Sequence, residues 1–288
     1  MKLIFFGAGY CSKFIMPKLN SGFEIICTHK ENIKSEKFDN ELNIHRLTLN
    51  DFEKNKEFYF SGATHIINSI PPENDQDLVY NLLKSLNINL VSLKWFGYLS
   101  STSVYGNHNG DWVDEDTEVK PLTKRGKKRR RVEEIFLNMY QRQNFPSHIF
   151  RLPGIYGPGR SAIDKLNNGK KLVIKKKSQF FSRVHVEDIA QAIILSMKNI
   201  TPGEIFNVTD NFPSSSEEVT LFAAKILKIK KLEYINIDSD RIGSVIKDFY
   251  SDNKKVSNKK IKKILGWTPK FENYKLGLKD IFKKSFNG

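Results

Sequence analysis

Apolar residues along the first two-thirds of the chain follow two alternating rhythms. Short continuous runs at 2–6, 23–28, 45–47, 64–69 and 95–100 read as strands buried on both faces. Between them lie stretches with helical spacing: 13–20 carries Phe14, Ile15 and Leu19, and 75–86 carries Leu78, Leu82, Leu83 and Leu86. Pro71-Pro72 closes the fourth run. Further on, 123–141 reads as a helix after Pro121, 147–152 as a strand, and 186–197 as an amphipathic helix through Ile189, Ala190, Ile193, Ile194 and Met197. Residues 205–208 form another short strand, and Ser214-Ser215-Ser216-Glu217-Glu218 has the pattern of a capped helix start. The lysine-rich tail from Lys254 keeps Val256, Ile261, Ile264, Leu265 and Trp267, which predicts a small folded lobe. Strands alternating with helices predict βαβ units on a parallel sheet, a Rossmann-type doubly wound α/β fold. The core is expected over 1–160. Residues 161–288 are expected to be a mixed region, where a small C-terminal lobe interleaves with the last sheet elements at 185–210.

The 288 residues suffice for one large α/β domain or a main domain with a small lobe. No apolar stretch approaches the roughly 20 residues of a membrane helix. The opening run Leu3-Ile4-Phe5-Phe6 stops at Gly7, too short for a signal peptide. Cys11 and Cys27 have no metal-ligand spacing and make no disulfide framework, so a cytoplasmic, reducing location is expected, with no metal and no membrane partner. The formal charge of +15 could attract nucleic acid or phosphorylated small molecules. Lysine is nevertheless spread along the whole chain, so an ordinary solvated surface explains most of it.

Chemistry enters at the first strand–helix junction. Gly7-Ala8-Gly9-Tyr10-Cys11-Ser12 follows the first strand directly and opens a helix. In a dinucleotide fingerprint the first glycine makes a tight turn, the second lets backbone approach a pyrophosphate, and a small third residue lets helix pack on strand. Ser12 stands at that third place. The helix start adds unpaired N–H groups and the positive end of its dipole. A carboxylate ending the second strand would receive the ribose 2′-OH of NAD. Here the strand ends in Cys27-Thr28-His29-Lys30, a hydroxyl followed by a potentially cationic pair. That pattern favours NADP over NAD.

Several segments in fixed order resemble the extended short-chain dehydrogenase/reductase superfamily. They are the turn above, Asn68-Ser69-Ile70-Pro71-Pro72, Leu99-Ser100-Ser101-Thr102-Ser103-Val104-Tyr105-Gly106, Arg151-Leu152-Pro153-Gly154-Ile155-Tyr156-Gly157-Pro158-Gly159-Arg160, Arg183-Val184-His185-Val186-Glu187-Asp188-Ile189-Ala190 and Phe206-Asn207-Val208-Thr209-Asp210. The likeness is strongest to its atypical NAD-dependent epimerase/dehydratase group, similar to nucleoside-diphosphate-sugar epimerases. The resemblance implies that Asn68, Ser69, Ile70 and Pro71 line the cofactor, and that Ser101 stands at the catalytic Ser/Thr place. It implies that Pro153, Ile155 and Tyr156 meet the nicotinamide end, and that Arg160 and Arg183 face an anionic substrate such as a nucleotide sugar. His185 and Asp188 would anchor the helix start, and the C-terminal lobe would shape the substrate site. Tyr105 and Tyr156 could equally be packing residues.

One departure cuts across this likeness. Redox members carry Tyr-x-x-x-Lys on the helix after the Val-Tyr-Gly loop, whose phenolate accepts a proton as hydride moves. Here the tyrosine place is Arg125 and the lysine place Arg129. Arginine stays protonated and cannot accept that proton. Another acid/base could act (Ser101, Tyr105, Tyr156 or a water), the protein could bind NAD(P) without turnover, or the register of the comparison could be shifted. The stretch 124–131, with seven cations, also admits a nucleic-acid reading, weakened by its lack of stacking aromatics. Three function classes stay open: an NAD(P)-dependent epimerase or reductase, a non-catalytic NAD(P)-binding regulator, and a nucleic-acid-associated protein. A monomer and a homodimer are both compatible with the sequence.

Overall fold

The computed structural model describes residues 1–19, 22–31, 43–73 and 76–286. Two compact units emerge: the first comprises 1–101, 127–151 and 189–206, the second 102–126, 152–188 and 207–288.

The first unit carries the main sheet: β1 (Lys2–Phe6), β2 (Glu24–His29), β3 (Ile44–Thr48), β4 (His65–Asn68), β5 (Trp95–Ser101), β6 (Ser147–Leu152) and β7 (Ile205–Asn207). Their order across the sheet is β7-β6-β5-β4-β1-β2-β3. Strands β3, β2, β1, β4 and β5 pair in parallel, with Phe5 opposite Cys27 on one side and Ile67 on the other. The chain winds outward from β1 to β3, then returns to place β4 on the other side of β1. This reversal makes a topological switch point, and ligands of open α/β sheets sit at the carboxyl ends of strands beside it. β1 is buried from Leu3 to Phe6, as expected for a strand covered on both faces.

Around the sheet lie α1 (Ser12–Ile15), α2 (Leu49–Lys54), α3 (Lys56–Phe60), α4 (Leu78–Lys84), most of α5 (Lys124–Gln143) and most of α7 (Val186–Lys198). The 13–20 helix reading is corrected: α1 stops at Ile15 and passes into a 3₁₀ turn at Met16–Lys18, because Pro17 removes a backbone donor. Residue 20 lies outside the described residues. So does residue 75, the expected start of the next helix; α4 begins after Asp77, whose carboxylate accepts the Tyr80 amide at 2.8 Å. The core is aromatic: Phe6 meets Phe52 at 4.9 Å between ring centroids, and Phe96 meets Phe136 at 4.4 Å.

In the second unit, a short strand Gly154–Tyr156 pairs in parallel with Arg183–His185. The helices α6 (Ala162–Asn167), α8 (Ser216–Ile226) and α11 (Tyr274–Phe286) close over a core of Tyr156, Ile163, Ala223 and Leu278, and α9 (Ser244–Ser251) and α10 (Lys259–Leu265) complete the unit. The capped start expected near residue 215 is present: Ser215 and Glu218 exchange a reciprocal capping box. No helix among the described residues is long and apolar enough to cross a membrane.

Candidate functional site

At the carboxyl end of β1 the chain turns through Gly7 at φ +75°, a left-handed conformation that favours glycine. A Cβ there would stand 2.8 Å from Ile70 Cγ1, so the residue is fixed by space as well. Both neighbouring strands tie the turn. Thr28 accepts the Gly7 amide on its hydroxyl (3.2 Å) and the Ala8 amide on its carbonyl (2.9 Å). From β4, Ser69 donates its hydroxyl to the Gly7 carbonyl at 2.6 Å. Gly9 differs: a Cβ there would meet nothing nearer than the Gly7 carbonyl at 3.8 Å, so the space above it is open. Ser12 donates its hydroxyl to the Gly9 carbonyl at 2.6 Å, which gives the third place of the fingerprint a bonding role beyond smallness. Cys11 precedes α1 at its N-cap, and the Tyr10 ring rests 5.3 Å from Phe14.

The loop after β4 is shaped by a buried pair. Asn68 donates to both Asp77 carboxylate oxygens (3.1 and 3.0 Å) and accepts the Ile70 amide at 3.1 Å. Burial pushes the Asp77 carboxyl above its usual range. Asn68 thus holds Ser69 and Ile70 against Gly7, while Pro71 is exposed. At the end of β2, Thr28 is buried and its hydroxyl already serves Gly7, and Lys30 is exposed. His29 is buried, with its Nε2 3.1 Å from Arg46 Nη1.

The opening of α5 is built differently. Thr123 accepts the Gly126 amide at 3.0 Å, and a Cβ on Gly126 would lie 2.6 Å from the Ser103 carbonyl, so this turn packs tightly on 102–104. Arg125 is exposed. Arg129 points inward, is 6% exposed, and donates Nη1 to the Tyr98 hydroxyl (3.0 Å) and the Leu99 carbonyl (2.6 Å). One turn on, Glu133 accepts the Ser100 hydroxyl at 2.5 Å and the Arg151 guanidinium at 2.8 Å. Both members of that ion pair are buried. The pattern of 124–131 gave no hint of it, because the partners lie on β5 and β6. Within the seven-cation run Arg129 is buried and Arg130 pairs with Glu134 at 2.8 Å, which reduces its value as a polyanion surface. Ser101 is half-buried at the end of β5. Tyr105 is fully buried and donates its hydroxyl to Asn207 at 2.9 Å, as a packing residue would.

In the second unit, Pro153 and Ile155 are half-buried beside the buried Tyr156. The Tyr156 ring stands edge-on to His185 at 5.1 Å, and burial pushes its phenol well above the usual range. A Cβ on Gly277 would strike the Tyr156 hydroxyl at 2.2 Å, so α11 rests on this ring. Arg183 donates to the carbonyls of Phe181 (2.9 Å), Ser214 (2.8 Å) and Ser215 (3.2 Å) and to the Ser214 hydroxyl (2.8 Å). Arg160 sits in a tight hairpin with Gly157. Loss of solvent, then the charges of Arg183, Lys170 and Arg160, hold the Lys165 ammonium below the lysine range. Asp210 is 2% exposed, and burial pushes its carboxyl up to about 8. Asp188 reaches beyond its own helix start: it accepts the Lys270 and Phe271 amides at 2.7 and 3.2 Å, and its carbonyl accepts the Trp267 indole at 3.1 Å. Burial raises its carboxyl to about 6.

Comparison with known proteins fits this architecture. The model of the NAD dependent epimerase/dehydratase family matches residues 7–209. A dTDP-D-glucose 4,6-dehydratase of Mus musculus is 26% identical over 208 residues, 67% of this chain and 56% of the relative. The chain thus spans about half the length of the mammalian dehydratases it matches. An ADP-L-glycero-D-manno-heptose-6-epimerase of Brachyspira hyodysenteriae is 22% identical over 97% of this chain and 96% of its own. Among solved structures, a functionally unknown conserved protein from Silicibacter pomeroyi superposes with a TM-score of 0.88 at 34% identity, covering 98% of both chains. The dTDP-glucose 4,6-dehydratase of Bacillus anthracis in complex with NAD superposes at 0.81 with 18% identity, over 100% of this chain and 97% of the other. With a glycine turn at the switch point of a Rossmann-type sheet and a family match over most of its length, the chain belongs to the NAD-dependent epimerase/dehydratase family.

Proposed function

We propose that this chain binds NAD(P) at the turn after β1 and acts as an epimerase or oxidoreductase on a nucleotide sugar or a similar polar alcohol or carbonyl, without the Tyr-x-x-x-Lys pair. The carrying observation is the turn itself: Gly7 is locked from both neighbouring strands while the space over Gly9 stays open. Backbone amides over Gly9, Tyr10, Cys11 and Ser12 are the groups assigned to the diphosphate. Ser69 and Ile70 would support the cofactor from the β4 side. When bound, the nicotinamide accepts or gives a hydride. In the second unit Arg160, Lys165 and Arg183 concentrate positive charge, which suits a nucleoside diphosphate. The nucleotide-linked sugars in the names of the related dehydratase and epimerase support that class.

Proton handling must differ from the usual pair. Arg125 and Arg129 cannot accept a proton, Tyr105 donates to Asn207, and the buried Tyr156 phenol resists ionisation. Ser101 is the hydroxyl we assign to orient the substrate oxygen. A second reading, an NAD(P)-binding protein without turnover, is favoured by one observation: the Arg129 guanidinium is engaged with β5. The two part in one assay, in which a panel of UDP-, dTDP- and ADP-sugars is incubated with the chain and both nicotinamide absorbance and the separated sugar products are followed, because an epimerase returns its hydride and leaves the absorbance unchanged. Turnover that falls at least tenfold in Ser101→Ala supports the enzyme. Tight dinucleotide binding with no absorbance change and no new sugar product on any member of the panel supports the second reading.

A further inference from the structure

We infer that Arg46, on β3, selects NADP(H) over NAD(H) by taking the adenosine 2′-phosphate, and that His29 is the positioning residue that aims it. The inference rests on the dinucleotide reading above and goes beyond it by assigning the selecting side chain.

A dinucleotide held at the β1 turn places its adenosine ribose by the carboxyl end of β2, where an acid would bind the 2′-OH. This strand ends in Cys27, Thr28 and His29, without one. Thr28 is buried, and its hydroxyl could offer a phosphate one neutral donor and no charge. The cation comes from the adjacent strand. β2 and β3 run parallel with Cys27 opposite Arg46 and His29 opposite Thr48. Opposed residues share a face of the sheet, and so do residues two apart on one strand. Cys27, His29 and Arg46 therefore lie on one face. Consistent with this, Cys27 Sγ is 3.5 Å and Arg46 Nη1 is 3.1 Å from His29 Nε2.

The chemistry of that contact is one-directional. A guanidinium only donates, so His29 Nε2 accepts and the imidazole is neutral there. His29 adds no charge; it holds the half-buried Arg46 guanidinium beside the last residue of β2. A guanidinium fork held in place suits a phosphate dianion better than a free lysine does. Asp51, the first acid after β3, does not supply the missing carboxylate, because it is held by Thr48 (2.6 Å) and Lys54 (3.2 Å).

Calorimetric titration of the full chain with NADPH, NADH, 2′,5′-ADP and 5′-ADP tests this. NADPH is expected to bind more tightly than NADH, and 2′,5′-ADP more tightly than 5′-ADP. Arg46→Met is expected to weaken NADPH and 2′,5′-ADP by about tenfold or more, the worth of a charge-assisted hydrogen bond, with NADH within twofold. His29→Phe should lose part of the preference, and His29→Gln, which keeps an acceptor, should recover it. An unchanged NADPH:NADH ratio in Arg46→Met, or an equal loss for both, overturns the assignment while leaving the dinucleotide site standing. If neither dinucleotide binds the unaltered chain, both the functional reading and this inference fall.

Discussion

The turn after β1 and the opening of α5 are the two places where the sequence resemblance puts cofactor binding and proton transfer, and the structure builds them in opposite ways. The turn keeps the expected pattern, and the structure gives it the expected shape. The opening of α5 carries arginine at 125 and 129 and no tyrosine over 124–131, and Arg129 braces Tyr98 and Leu99. The difference lies in what each site requires. Diphosphate binding needs backbone shape, which two glycines and a small residue provide. Proton transfer needs one side chain of suitable pKa, and a single replacement removes it while the helix survives.

If α5 is a brace and the turn a ligand site, substitutions in α5 should cost stability and spare affinity, and substitutions in the turn should cost affinity, with a stability cost only where space or φ is restricted. The largest effect is expected at Glu133. Glu133→Ala strands the buried Arg151 guanidinium and should cost about 3–5 kcal/mol in urea unfolding; a cost below 1 kcal/mol would mean the pair is hydrated and α5 is not a brace. Next comes Gly7→Ala, which must adopt φ +75° and push against Ile70, at about 2–4 kcal/mol. An unaltered melting temperature there would contradict the described turn. Arg129→Met leaves the Leu99 carbonyl and Tyr98 hydroxyl without their donor and should cost about 1–3 kcal/mol, with dinucleotide affinity within twofold. A large affinity loss with intact stability would instead return Arg129 to a cofactor-contacting role.

The last effect, read only over the narrow interval between pH 6 and 8, concerns pH. The Asp210 carboxyl holds its proton to about pH 8 in the fold, against an ordinary carboxylate value when unfolded. The folded state therefore binds the extra proton between about pH 4 and pH 8. The stability this group contributes is full below that window and is lost as pH rises through it, by about 1 kcal/mol per pH unit. Asp210→Asn should flatten the fall in melting temperature between pH 6 and 8. His185 works in the other direction: burial lowers it to about 4, so its contribution is present above its ordinary range and lost as pH falls through 4. Below about pH 4 Asp210 is protonated in both the folded and the unfolded chain, so that part of the profile should be unchanged in Asp210→Asn, and a variant that alters only the region below pH 4 would contradict the assignment.

What the sequence revealed follows the same division. Buried strands such as β1, β4 and β5 are continuous apolar runs, and α7 carries a full helical stripe, so both were legible. Helices α2 and α3 were missed, because Phe52, Tyr59 and Phe60 are scattered among charged residues and interrupted at Asn55. Thr48, whose hydroxyl accepts the Asp51 amide at 3.1 Å, was a readable start signal for α2. The short strands Gly154–Tyr156 and Arg183–His185 are too brief to show a period. At the site, the glycines were legible because they act through their own backbone. Glu133 with Arg151, His29 with Arg46, and Thr28 with Gly7 were not, because each pair joins different elements and only the folded sheet brings them together.

The most direct measurement titrates NADPH and NADH into the unaltered chain and into Gly9→Leu, with the melting temperature of each recorded without ligand. A side chain at residue 9 enters open space, so the variant should melt with the unaltered protein while its binding heat disappears. Undiminished binding in Gly9→Leu, or no binding of either dinucleotide to the unaltered chain, would contradict the placement of the diphosphate over this turn.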